Sequence, residues 1–260
     1  MTLMTFFKNF LSTSFVLPLS LAITAIPLQA QRLPLSEKLT SLLSPEGKTL
    51  LQNSKAQADY IPLMSQFVTQ VNGSFCGVAS AVMVLNALEV PVTAPSPWAQ
   101  RYFTQDNIFN EKTEEVIPLS VITRQGMTLA QLSDLIATYT VQVKTFYGSD
   151  INLDQFRQLI RENLANDNNF VLINYLGRAI GQKRGGHISP IAAYNEESDQ
   201  FLILDVSRYK YPPFWVDTET LWGSTNTIDQ VSQKTRGIIL ISPPSLVNQT
   251  YKLQPLMYQQ

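Results

Sequence analysis

The chain has a single cysteine and a single histidine. Cys76 lies in Ser74-Phe75-Cys76-Gly77-Val78-Ala79-Ser80-Ala81, at the expected start of a buried helix. His187 lies in Gly185-Gly186-His187-Ile188-Ser189-Pro190, at the expected start of a strand. A thiol nucleophile and an imidazole base are the two parts on which cysteine acyl-transfer chemistry rests, and with one copy of each the pairing needs no choosing. The same count excludes an intrachain disulfide. It also excludes a Cys/His zinc site, which needs three or four ligands, so no metal-ligating residues are assigned. A thiol in the first turn of a helix faces unsatisfied N–H groups and the positive end of the helix dipole, and both favour the thiolate. On its own, Cys76 would equally suit a core position packed like a small hydrophobe.

Two further residues complete the pattern. The polar segment Asn195–Gln200 predicts a hairpin loop between two strands, and pairing across it sets His187 opposite roughly Asp205 to Ser207. Cross-strand neighbours have β-carbons about 5 Å apart. Asp205, at the end of the apolar run Phe201-Leu202-Ile203-Leu204, can therefore reach the imidazole and orient it. Gln70, six residues before the cysteine, can offer its side-chain amide to a developing oxyanion beside the Cys76 backbone N–H.

These residues must be held by elements that the rest of the sequence predicts. Gly77 to Leu88 is apolar nearly all round, as a helix buried on most faces would be, with Ser74 as its N-cap and Pro91 as its stop. Further helices are expected over Glu46–Ala58, Trp98–Phe109, Leu129–Tyr139 and the amphipathic Leu153–Leu164. Strands are expected over Val141–Phe146, Phe170–Tyr175, His187–Tyr194, Phe201–Asp205 and Arg236–Ser242, and Asp59–Val71 is read as a connection. Helices first and antiparallel strands after make an α+β protein.

At 260 residues and 45% hydrophobic content, the chain can bury a full core, most simply as one domain. Its net charge of -1, with no run of Lys and Arg, argues against nucleic acid as a partner. Residues 1–30 contain no acid and one base, Lys8, and Phe10 to Ile26 is mostly apolar. This reads as a bacterial secretory signal cleaved near Ala30, or as an uncleaved membrane anchor. The expected location is exported, periplasmic or membrane-associated. Residues 31–242 form the catalytic domain of this reading and 243–260 a tail.

Beyond these patterns the chain resembles the phytochelatin synthase family at several places. They are Gln70, Phe75-Cys76-Gly77-Val78-Ala79-Ser80, Gly185-Gly186-His187-Ile188-Ser189-Pro190-Ile191, and the long segment from Leu202 to Val216 through Arg208-Tyr209-Lys210-Tyr211-Pro212-Pro213-Phe214-Trp215. Leu221-Trp222, Asp229 and Thr235-Arg236-Gly237 follow in the family order. The family comprises papain-like cysteine acyltransferases acting on glutathione. The resemblance implies a papain-like α+β fold, with the nucleophile helix of a helical N-terminal lobe packed on an antiparallel sheet lobe. It also implies a catalytic set of Cys76, His187, Asp205 and Gln70. The groups holding the γ-glutamylcysteine moiety would be Asp229 and Arg236, together with Asn174 and Gly186. Arg suits the substrate's α-carboxylate and Asp its α-amino group.

The implied partner is glutathione, the assembly is left open to a homodimer, and no intrinsic cofactor is implied. Cadmium or zinc would act through thiolate complexes of glutathione. The longer plant-type members carry a cysteine-rich C-terminal region, which this sequence does not show. The short prokaryotic type is the nearer likeness, and its expected dominant reaction is release of glycine. Two other readings stand beside this one: a papain-like peptidase acting on other peptides, and a non-catalytic exported binding protein.

Overall fold

A computed structural model describes residues 32–92, 101–183 and 185–244. The expected signal over 1–30 and the tail beyond 244 lie outside the described residues. The strands are β1 (Leu39–Ser41), β2 (Gln142–Tyr147), β3 (Phe170–Leu176), β4 (Gly186–Asn195), β5 (Gln200–Ile203), β6 (Phe214–Asp217), β7 (Ile228–Asp229), β8 (Lys234–Thr235) and β9 (Gly237–Ser242). The helices are α1 (Pro45–Asn53), α2 (Tyr60–Ser65), α3 (Cys76–Ala87), α4 (Glu111–Val116), α5 (Leu119–Gln125), α6 (Leu129–Ala137), α7 (Leu153–Leu164) and α8 (Thr218–Thr225). A 3₁₀ turn covers Gly177–Ile180. Seven strands form one sheet in the order β1-β6-β5-β4-β3-β9-β2, and every pair in it is antiparallel. The expected α+β class is what the chain adopts.

The central strands are apolar on both faces because both faces are covered. In β3, Phe170 and Leu172 pack with α3 and α6, whereas Val171, Ile173 and Tyr175 pack with Phe156, Ile160 and Leu164 of α7 and with Leu221 of α8. A strand buried on both sides reads as a continuous apolar run, which is why Phe170–Tyr175 is visible in the sequence. The order of helices then strands is looser than expected. The two edge strands, β1 and β2, come from the helical half, and α7 from that half covers the sheet's second face.

Helix α3 carries the cysteine, and its first ten residues are all buried. The Ser80 hydroxyl lies within hydrogen-bonding distance of two carbonyls, Cys76 at 2.7 Å and Ile188 at 3.2 Å, and so ties the helix to β4 one residue past His187. Ser74 is not the N-cap. That position is Phe75, which offers no side-chain cap, while the Ser74 N–H donates to Asn72 Oδ1 at 2.8 Å. The first-turn N–H groups are thus left for the thiol. The helix ends at Ala87, before Pro91 can act: Glu89 adopts φ 53 and the Val90 N–H returns to the Leu85 carbonyl.

Two other expectations are corrected. Residues 101–109 of the expected Trp98–Phe109 helix are not helical. The Thr104 N–H donates to Asn107 Oδ1 at 2.7 Å and Asn107 Nδ2 donates to the Tyr102 carbonyl, so side chains replace the helical bonds. The segment read as a connection, Asp59–Val71, contains α2.

Candidate active site

β4 and β5 form the expected hairpin, with a bulge between Ile191 and Ala193, and β5 ends at Ile203. Beyond it the chain still runs beside β4. Asp205 Oδ1 lies 2.7 Å from His187 Nε2, and Ser207 Oγ lies 3.1 Å from the same nitrogen. Asp205 is fully buried. It accepts the Ser207 N–H at Oδ1 (2.7 Å) and the Gln182 side-chain amide at Oδ2 (3.2 Å). The edge of Tyr175 stands against the imidazole, with centroids 5.6 Å apart and planes at 88°. With Nε2 occupied, Nδ1 is the nitrogen left for the Cys76 thiol, which hydrogen-bonds to His187.

The electrostatics follow from this line of contacts. Burial by itself would push the Cys76 thiol up. The hydrogen bond and charge of His187, with the backbone at Ile188 and Gly77, outweigh it and bring the thiol below its ordinary range. Burial would lower His187, but the charge and hydrogen bond of Asp205, with the thiol, raise it. Burial would raise Asp205, whereas the imidazolium and the Ser207 donors hold it below the usual carboxylate range. A buried carboxylate given three donors stays ionised, and the pair beyond it takes the thiolate–imidazolium form.

Gln70 is buried, and its N–H donates to the Val206 carbonyl at 3.0 Å, so it sits against the segment carrying Asp205 and Ser207. One hydrogen of its side-chain amide goes to the Asn72 carbonyl at 2.5 Å. The second is the one left for an oxyanion. Gln70 lines a cavity shared with Gly73, His187 and Ser207, which neighbours the one holding the thiol.

The thiol faces a cavity of about 280 Å³ that also holds Asn174, Gly186, His187, Asp229 and Arg236. All four residues named for substrate binding therefore meet beside Cys76. Arg236 Nη1 donates to Asn174 Oδ1 at 3.0 Å and lies 3.9 Å from Asp229 Oδ2, while its Nε is buried without a partner. Burial lowers this guanidinium's affinity for its proton, with Asp229 opposing. An arginine on the wall of such a cavity suits a ligand carboxylate. A β-carbon at Gly186 would stand 2.3 Å from Arg236 Nη1, so a side chain there would displace the end of the guanidinium.

The sequence reading missed Gln182, Ser207 and Tyr175, and also the wall of the cavity formed by Arg124, Gly126, Met127 and Thr128 between α5 and α6. Ser207 had a signal, as the second residue past Asp205 in an extended segment. Gln182, in a turn after β3, had none.

Residues 30–238 match the family model described as phytochelatin synthase. The chain is 35% identical over 220 residues to glutathione gamma-glutamylcysteinyltransferase 1 of Lotus japonicus, covering 82% of this chain and 42% of that protein. It is 33% identical over 218 residues to glutathione gamma-glutamylcysteinyltransferase 2 of Arabidopsis thaliana, covering 82% and 47%. The Schizosaccharomyces pombe glutathione gamma-glutamylcysteinyltransferase is 31% identical over 185 residues, covering 71% and 44%. The matched regions thus span less than half the length of these relatives.

Proposed function

The chain belongs to the phytochelatin synthase family, and from that premise we propose that it is a cysteine acyltransferase and hydrolase of glutathione. The Cys76 thiolate attacks the carbonyl of the Cys–Gly bond. The tetrahedral oxyanion is met by the Cys76 backbone N–H and the second amide hydrogen of Gln70. His187 gives its proton to the leaving glycine nitrogen, and a γ-glutamylcysteinyl thioester remains on Cys76. His187 then takes a proton from the incoming nucleophile. Water yields γ-glutamylcysteine, and the amino group of a second glutathione yields a phytochelatin of two repeats. Asp205 keeps the imidazole in the tautomer and orientation that both steps need.

The observation that carries this reading is the meeting, in one cavity, of Cys76 and the Asp205-bonded His187 with Arg236, Asp229 and Asn174. The γ-glutamyl end of glutathione carries an α-carboxylate and an α-amino group on one carbon. Arg236 and Asp229, 3.9 Å apart, offer one complement to each. Acylation needs only this one molecule to be held. Transfer needs a second, positioned well enough to outcompete water. γ-Glutamylcysteine and glycine therefore dominate at low glutathione, and phytochelatin grows with its concentration. Cadmium or zinc enters as a thiolate complex of the acceptor. The apolar stretch Phe10–Ile26, in a segment without acids, supports export.

The test is a chromatographic time course of products over a range of glutathione concentrations, run beside a panel of unrelated peptides, with acyl-enzyme trapping by mass spectrometry. Glycine release with a trapped γ-glutamylcysteinyl adduct on Cys76, lost in Cys76→Ser, is the expected result. Cleavage of the peptides in preference to glutathione would make the protein a peptidase. A well-folded wild-type protein that forms no adduct would make it a binding protein.

A further inference from the structure

His187 lines two cavities. One is that of Cys76, Arg236 and Asp229. The other, of about 410 Å³, adjoins it at Gly73, Gly186 and His187, which line both, and is walled beyond them by Ser207, Lys183 and Lys210. The backbones that carry the two lysines are tied to the segments that fix the imidazole. Ser207, whose Oγ lies 3.1 Å from His187 Nε2, accepts the Lys210 N–H at its carbonyl (2.6 Å). The Lys183 N–H donates to the Tyr211 hydroxyl at 2.9 Å, and the residue before it, Gln182, bonds Asp205. Both lysine side chains are exposed, and among the described residues neither is paired with a carboxylate.

The two cavities differ in charge. The first offers Arg236 and Asp229 together, a complement to both charges of an amino acid. The second has two cationic side chains, and no Asp or Glu lines it. That suits a carboxylate whose neighbouring nitrogen carries no charge. Such a nitrogen is what the reaction needs beside His187: an amide nitrogen during acylation, a free amine during transfer. An acid beside it would hold the amine as ammonium and remove its lone pair from the reaction.

The leaving glycine and the α-amino end of an incoming glutathione share one feature: the reacting nitrogen and a carboxylate sit on the same carbon. We infer that Lys183 and Lys210 form a single carboxylate subsite used by both, so that the second cavity takes the α-amino acid end of whichever molecule leaves or attacks the acyl-enzyme. The inference rests on the proposed glutathione chemistry and deepens it. Free glycine is then itself an acceptor. Its amine attacks the thioester carbonyl, His187 takes the amine proton, the C–S bond breaks with Cys76 leaving as thiolate, and glutathione is formed again. A second glutathione and other small α-amino acids compete with glycine for the same place.

The experiment gives the full chain glutathione and isotopically labelled glycine. Mass spectrometry follows label entering glutathione against the γ-glutamylcysteine formed by water. Both products come from one acyl-enzyme, so their ratio does not depend on the rate of acylation. Label should enter glutathione with a saturable dependence on glycine. Glycinamide, which keeps the amine and lacks the carboxylate, should be a clearly poorer acceptor at equal concentration. Lys183→Ala and Lys210→Ala should each lower the transfer ratio for glycine about three- to fivefold, as suits exposed charge pairs, and the double variant about tenfold or more. The ratio for glycinamide should not move, which a merely structural role of the lysines would not predict. Absence of label from glutathione, equal transfer to glycine and glycinamide, or a wild-type ratio in the double variant would overturn the proposal. A wild-type chain that forms no acyl-enzyme would instead overturn the glutathione reading on which the subsite rests.

Discussion

At the scale of single residues, the proposed reactivity rests on a chain of contacts in which each member sets the next. Gln182 and Ser207 hold Asp205, Asp205 holds His187, and His187 holds the Cys76 thiol. Asp205→Asn should fold and lose on the order of 10²–10⁴ in turnover, because the amide favours the wrong imidazole tautomer. Activity within a few-fold of wild type would make Asp205 merely structural. Gln182→Ala removes one donor from a buried carboxylate, a bond to a charged group of about 1.5–3 kcal/mol. It should lower kcat about tenfold with little change in KM. The pH profile of kcat/KM follows the same chain. The rate rises as the thiolate–imidazolium pair forms, on an acidic limb set by the lowered Cys76, and falls as His187 loses its proton at about 10. In Asp205→Asn the alkaline limb should move down toward the ordinary imidazole range. An alkaline limb unmoved by that substitution would disconnect Asp205 from His187.

At the scale of elements, the binding end of the site depends on a guanidinium packed close against a strand backbone. β4 begins at Gly186, over which the Arg236 guanidinium lies as the chain enters β9. Gly186→Ala would place a methyl carbon 2.3 Å from Nη1 in the present positions, and Arg236 would have to leave Asn174. Loss of one charge-assisted contact to substrate corresponds to roughly a 10- to 100-fold rise in KM for glutathione. The effect on kcat should be smaller, and steady-state kinetics would measure both. An unchanged KM would show that Arg236 does not bind substrate. The helices α2, α4 and α5 escaped the sequence reading because each has only six or seven residues, too few for a helical period to declare itself. By contrast α7, with its apolar stripe over twelve residues, runs over the expected Leu153–Leu164.

At the scale of the whole molecule, a sheet covered on both faces gives the site a rigid floor, and its N-terminal edge is fastened by one large side chain. Trp215, fully buried in β6, donates its indole N–H to the Gly47 carbonyl of α1 at 3.0 Å. Trp215→Ala should therefore cost about 3–5 kcal/mol of stability, read as a lower denaturant midpoint, with kcat/KM of the folded fraction little changed. A loss below 1 kcal/mol would mean that this edge does not hold the fold together.

The composition and short motifs were enough to single out the candidate pair, because one thiol and one imidazole leave no alternatives. The long apolar strands and the amphipathic α7 were equally legible, because burial on two faces or one stripe imprints a local pattern. The expected pairing across the Asn195–Gln200 loop put Asp205 beside His187 for the same reason, since hairpin register is a local property. What only the tertiary structure decided depends on residues distant in the chain. Leu39–Ser41 becomes an edge strand because β6 is there to pair with it. Gly186 leaves the space that the end of Arg236 fills. Gln182 matters because a turn after β3 brings it to Asp205. None of these leaves a periodicity or a spacing in the sequence, because each is made by the packing of one element on another.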